Sequence, residues 1–216
     1  MNMIRYIDAV YILLFSKQNY LNFMTTEEFQ DSLRFKFRSW YPDREIRQDK
    51  IRRIVCQRER FREILKSTGR AGIDELLEFL DQCGFYYRPS SAVSHHNYPG
   101  GLLEHSMGVY GKMQLSSLQE SCNESIKIVG LLHDVCKCDM FYFAGWKIRK
   151  HPRIGHGIRS VRILKKFGIR LSPEEYRAIR FHMRGIDMHT DALAAALVKA
   201  DRHDSAEACA RLGKND

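Results

Sequence analysis

The chain has 216 residues, with 35 Lys and Arg against 26 Asp and Glu, a formal charge of +9, and 44% hydrophobic residues. Such a composition belongs to an ordinary globular protein that can bury a sizeable core; it excludes a disordered chain and a collagen-like fibre. The longest apolar stretch near the start, Ala9 to Phe15, is seven residues, against roughly 20 for a membrane span, so no membrane association is expected and the cytoplasm is the expected location. Six cysteines lack CxxC spacing, and reduced thiols are expected.

The charge is unevenly placed. Residues 1–70 carry 15 basic and 9 acidic side chains, residues 71–144 carry 4 and 9, and residues 145–216 carry 16 and 8. An acidic middle between two basic flanks fits a polyanionic partner, or a solvated surface that is merely basic.

In chain order, Asp43 to Lys66 contains no Gly or Pro, and Ile51, Ile54, Val55, Arg58, Phe61 and Leu65 fall at three- and four-residue steps. This predicts a basic amphipathic helix. Thr68 to Gly72 breaks the pattern, and Ile73, Leu76, Leu77 and Leu80 begin a second helix that ends at Cys83-Gly84. Residues Phe85 to Gly101, with two Pro and a Gly-Gly pair, predict an irregular connection. Further helical patterns follow, separated by turn signals at Glu120 to Glu124, Ala144 through Gly157, Gly168 to Pro173 and Arg184 to His189. Phe141 to Phe143 fits a short strand or hairpin edge, and the class is all-α.

The informative residues are ionisable ones on apolar faces. His133 and Asp134 share the inward series Ile126, Val129, Gly130, Lys137, and burying an imidazole beside a carboxylate is costly unless they are paired or bind a metal. His105, His156, His182 and Asp201 fall at comparable places on four other predicted helices. Five helices that each turn a His or Asp inward point to a metal centre in a bundle core. Imidazole and carboxylate ligands without thiolate suit Mn, Fe, Co, Ni or Mg better than a Cys-rich zinc site. One or two such divalent ions bind a phosphoryl oxygen and lower the pKa of water, which makes metal-assisted phosphoester hydrolysis the expected reaction class.

The order His105, His133-Asp134, Asp201 resembles the HD-domain superfamily of metal-dependent phosphohydrolases. The blocks Gly100-Gly101-Leu102-Leu103-Glu104-His105-Ser106 and Leu131-Leu132-His133-Asp134-Val135-Cys136-Lys137 are similar to two of its motifs. Gly155-His156-Gly157 and Phe181-His182-Met183 are similar to the extra histidine positions of two-metal members, and the likeness covers roughly residues 69 to 206. The resemblance implies that His105, His133, Asp134 and Asp201 bind a first metal, and that Asp134 bridges to a second held by His156 and His182. It implies a helical bundle over residues 69–216, with residues 1–68 as an N-terminal helical extension.

Around these ligands, Lys137 lies one turn past the His-Asp pair, either toward a substrate phosphate or the attacking water, or snorkelling to solvent. His95 and His96 either line the substrate mouth or lie on a surface loop. Trp146 to Arg153, with Arg149 and Arg153 among its four cations, reads as a phosphate-binding stretch or a solvated loop. Asp204 rivals Asp201 for the last carboxylate ligand, and Asp201 is preferred.

The leading expectation is hydrolysis of a phosphomonoester or phosphodiester, of a nucleotide or another phosphorylated small molecule, with Asp134 and Lys137 as the catalytic side chains. Two alternatives stay open: trimming of RNA or DNA 3′ ends, and a non-catalytic module that senses a nucleotide. The Gly100 to Ser106 block also resembles that of a bacterial 3′-to-5′ exoribonuclease, which adds an OB domain where this chain looks helical. Residues 1–60 are open to two roles, packing against the catalytic bundle or serving as the surface of a homodimer.

Overall fold

The computed structural model describes residues 24–116, 118, 122–144, 147–150, 155–183 and 191–212. Helix α1 (Thr26–Lys36) starts at Thr25, whose side chain and that of Glu28 cap each other's backbone N–H. Asp43 caps α2 (Arg44–Lys66) by accepting from the Ile46 N–H at 2.9 Å. The third helix, α3 (Ile73–Cys83), stops at Gly84, whose φ of +79° an L side chain rarely adopts. A 3-10 turn, Phe85–Tyr87, and an irregular stretch lead into α4 (Gly101–Gln114).

After α5 (Asn123–Leu132) comes a 3-10 turn, Val135–Asp139, and a hairpin in which β1 (Phe141–Ala144) pairs antiparallel with β2 (Lys147–Lys150), Phe141 opposite Lys150. Helix α6 is His156–Lys166. Ser172 and Glu175 form a capping box for α7 (Pro173–Phe181), with Pro173 in the first turn. Asp191 starts α8 (Ala192–Leu212), its Oδ1 accepting from the Ala194 N–H at 3.1 Å. The fold is all-α apart from the hairpin, and among the described residues no helix is long and apolar enough to cross a membrane.

Helix α4 is the central post, packed against α5, α8 and α2, while α7 bridges α6 and α8. One apolar core runs from Phe29 and Leu33 through Phe61, Leu80, Val109 and Val129 to Ile179 and Leu197. Residues 26–66 therefore share their core with the helices that follow.

Two buried ion clusters tie the N-terminal helices to this core. Arg58 occupies the inward stripe of α2 and is 1% exposed, because its Nε and Nη2 donate to the two oxygens of Asp81 on α3 at 2.7 and 2.9 Å. Its guanidinium also lies over the Phe29 ring, 4.7 Å from the centroid. Arg62 adds a third contact to Asp81 at 2.9 Å, so part of the positive charge of α2 is neutralised inside the protein. Between α2 and α3, Arg70 makes a bidentate pair with the buried Glu175 of α7 at 2.7 and 2.6 Å. The Ser125 hydroxyl of α5 donates to the same carboxylate at 2.6 Å.

The structure departs from the sequence reading between α5 and α6. The expected continuous helix through Lys137 ends at Leu132, and Asp134 sits at φ −109°, ψ 18° outside it. Arg149 lies on β2, with its backbone opposite Tyr142, so half of the expected phosphate-binding loop is strand. Trp146, His151 and Arg153 lie outside the described residues.

Candidate metal centre

Successive residues of a continuous helix point about 100° apart, so the break after Leu132 is what lets His133 and Asp134 face one pocket. His133 terminates α5 and donates its Nδ1–H to the Gly130 carbonyl at 3.0 Å. His182 does the same at the end of α7, donating to the Ile179 carbonyl at 2.7 Å. A carbonyl can only accept, so both rings carry the proton on Nδ1 and present the Nε2 lone pair. In both, the helix end supplies the acceptor that fixes the tautomer.

The other ligands come from separate elements. His105 stands in the second turn of α4, fully buried, with its Nδ1 donating to Asp204 Oδ2 at 2.8 Å. His156 opens α6, whose start is pressed against the end of α7; a Cβ on Gly157 would lie 2.5 Å from the Arg180 carbonyl oxygen. Only glycine permits this approach, which puts the His156 and His182 rings 5.2 Å apart. The backbone N–H of Cys136 donates to Ser160 Oγ at 3.3 Å, which holds the 3-10 turn against α6.

Asp134 divides the pocket between its two oxygens. Oδ2 lies 3.6 Å from His105 Nε2, 3.3 Å from His133 Nε2 and 2.7 Å from Lys137 Nζ. Oδ1 lies 3.5 Å from both His156 Nε2 and His182 Nε2. On α8, Asp201 Oδ1 is 3.2 Å from His105 Nε2. Despite these distances, Nε2 of His105, His133, His156 and His182 and Oδ1 of Asp134 are buried without a hydrogen bond. They are close enough for charge to matter and not aligned to share protons.

Charge and burial set the protonation of the pocket. Burial opposes an ionised Asp134, yet Lys137 and His133 hold its carboxyl well below the usual range. Burial also works against a charged His105, but the carboxylates of Asp134, Asp201 and Asp204 push it up to about 10, so a cation bound at its Nε2 would have to displace that proton and leave the Nδ1–H form. At the other end of the pocket, burial takes His156 down to about 4, against the pull of Asp134. Desolvation and the neighbouring His105 lower His95 to about 4 and His96 to about 3.

All six sequence-derived ligand positions meet here. Ligand atoms within 4.8 Å of one another occur in the groups His105, His133, Asp134; His133, His182, Asp201; and Asp134, His156, His182, each of which could hold a metal ion. Lys137 does not snorkel outward: it is 9% exposed and its ammonium is engaged by Asp134. Nor do His95 and His96 lie on an outer loop, since both rings sit 5.3 Å from that of His105. His96 is 2% exposed and holds a left-handed φ of +51°, a conformation that costs a non-glycine residue energy and clusters at functional sites.

The sequence reading missed the part played by Asp204. It treated this residue only as a rival ligand, whereas both its oxygens are taken, Oδ2 by His105 and Oδ1 by Lys112 Nζ at 2.8 Å. Its spacing of three from Asp201, which puts the two on one face of α8, was the available signal.

No curated protein and no solved structure matches the chain. The family model of the HD domain matches residues 102–206, a span that begins in the first turn of α4, ends within α8 and contains every ligand of the pocket. Residues 102–206 of the chain are thus an HD domain.

Proposed function

We propose that the protein is a metal-dependent phosphohydrolase that cleaves a phosphomonoester or phosphodiester of a nucleotide or similar phosphorylated small molecule. The observation that carries this reading is the convergence of five buried, hydrogen-bond-free donor atoms, from His105, His133, Asp134, His156 and His182, in one pocket. Buried polar atoms are normally paired, and five lone-pair donors aimed at a common space fit divalent cations. His105, His133, Asp134 and Asp201 would hold one ion, and Asp134, His156 and His182 a second, with Asp134 between them. Mixed imidazole and carboxylate donors suit Mn, Fe, Co, Ni or Mg. A cation bound there polarises a phosphoryl oxygen and makes water acidic enough to attack phosphorus.

The protein's own residues have separable tasks in this reading. Asp134, held as a carboxylate beside Lys137, offers one oxygen to each half of the pocket. Lys137 fixes Asp134 with one N–H and has two more for a phosphate oxygen. His96 and its neighbour His95 stand on the His105 side, where they orient the substrate. Arg149 and Arg153 supply further positive charge to the anion.

The test is hydrolysis of an aryl phosphodiester and of a nucleotide panel by protein supplied with Mn, Ni or Co. Activity that appears with metal and vanishes in His133→Ala supports the reading. Inactivity with every divalent metal across the panel sinks it.

A further inference from the structure

Asp204 is bonded to the outer nitrogen of one pocket histidine, and its surroundings are built around it. The residue is 6% exposed on α8, one turn beyond Asp201. Oδ2 accepts the Nδ1–H of His105 at 2.8 Å, and Oδ1 accepts from Lys112 Nζ, also at 2.8 Å. Lys112 is itself anchored to Glu207 at 3.1 Å, one further turn along α8. The seat lies against α4 at Gly108, where a Cβ would fall 2.1 Å from Asp204 Oδ1. Any side chain at 108 would therefore displace the carboxylate from between His105 and Lys112.

We propose that Asp204 is the positioning residue of the metal centre: it holds His105 as the Nδ1–H tautomer and turns its Nε2 into the pocket, while Lys112 and the bare backbone of Gly108 hold Asp204. The assignment rests on the metal-binding reading of the pocket and adds a residue outside the ligand set. The chemistry is that of a carboxylate–histidine–metal relay, in which the outer carboxylate fixes the ring and raises its basicity, and whose loss typically weakens metal binding about 10- to 100-fold. Unlike His133 and His182, whose acceptors are carbonyls of their own helices, His105 depends on a carboxylate from another helix 99 residues away in the chain.

Metal affinity decides this independently of turnover. Mn(II) and Ni(II) binding to the full chain is measured by calorimetry for the wild type, Asp204→Ala, Asp204→Asn, Gly108→Ala and Lys112→Met, with the melting temperature of each in chelator as a measure of folding. The expected result is a loss of about 10- to 100-fold for Asp204→Ala and for Gly108→Ala, which removes no polar group. Asp204→Asn, still an acceptor but uncharged, should fall between them and the wild type. Lys112→Met should melt earlier yet keep its affinity within about threefold, because the His105 contact survives. A carboxylate that only clamps α8 to α4 predicts lower melting temperatures with unchanged affinity in all four variants, and that result overturns the proposal. If Asp204→Ala does not fold, wild-type affinity in both folded Gly108→Ala and Asp204→Asn overturns it equally. A wild type that binds no divalent metal overturns the metal reading itself, and this proposal with it.

Discussion

The molecule buries charged and polar side chains in two places and treats them in opposite ways. In the N-terminal half, Arg58 and Asp81 are almost completely buried and satisfy each other with two charge-assisted hydrogen bonds, and Arg62 and Met24 take further bonding positions. Between α4 and α8, three imidazoles and a carboxylate are buried as deeply and a fourth imidazole, His156, is half-buried, but their inward atoms have no hydrogen-bond partner. A fold that pairs its structural ions this completely has no need to leave five donor atoms bare for packing alone. The difference teaches that the first cluster is complete within the folded chain, whereas the second leaves lone pairs that a bound cation would use. Lys137 offsets part of the desolvation cost of the second, and a bound cation would offset the rest.

The comparison breaks most sharply at the two carboxylates that centre the clusters. If the proposed hydrolysis holds, Asp134→Ala should lower the metal-dependent cleavage of an aryl phosphodiester by at least about a thousandfold in kcat/KM, roughly 4 kcal/mol in the barrier. Asp81→Ala should leave the metal site alone and destabilise the fold by about 3–5 kcal/mol, because it strands a buried guanidinium. Urea denaturation in chelator measures this cost, and a loss below about 1 kcal/mol would show that Arg58 finds other partners or reaches water.

Adding metal sharpens the contrast next. At a hundred times the dissociation constant, a divalent ion should stabilise the wild type by about 2.7 kcal/mol, reversed by chelator. The same addition should still raise the melting temperature of Asp81→Ala, if that variant folds, and should do nothing for Asp134→Ala.

Acid probes the paired clusters. Burial opposes an ionised Glu175, but its bonds to Arg70 and Ser125 win and lower its pKa. A depressed folded-state pKa gives stability that is present above the unfolded value of about 4.3 and is lost as pH falls below it. Glu175→Gln should therefore be less stable at neutral pH and show a flatter fall in melting temperature between about pH 5 and 3. The smallest effect belongs to the exposed pair of Arg53 and Asp49 on α2: Arg53→Ala should shift stability by no more than about 0.5 kcal/mol. A larger loss would mean that the outer face of α2 carries a structural duty.

Much of this was legible in the residues. Helix α2 announced itself by its apolar spacing, and α3 by its stripe and the Gly84 stop. Periodicity reads these elements because a helix must bury one stripe wherever it packs. The same rule misplaced the helix end at His133, since an imidazole that bonds back to Gly130 and a leucine that packs inward occupy the same kind of position. Arg58 fell on the apolar stripe by spacing, but nothing local named Asp81, 23 residues on, as the group that lets it stay there.

The sequence by itself determined the helical class, the residue types able to hold a divalent metal and their order along the chain, because hydrophobic period and ligand chemistry are local properties. Tertiary structure alone decided that the two oxygens of Asp134 face opposite pairs of imidazoles, that Lys137 answers Asp134, and that Asp204 reaches across Gly108 to His105. Those facts depend on which helices cross and how closely. Crossing distance is set by the side chains absent at Gly108 and Gly157 as much as by those present, and only the packed molecule shows what fills the space they leave.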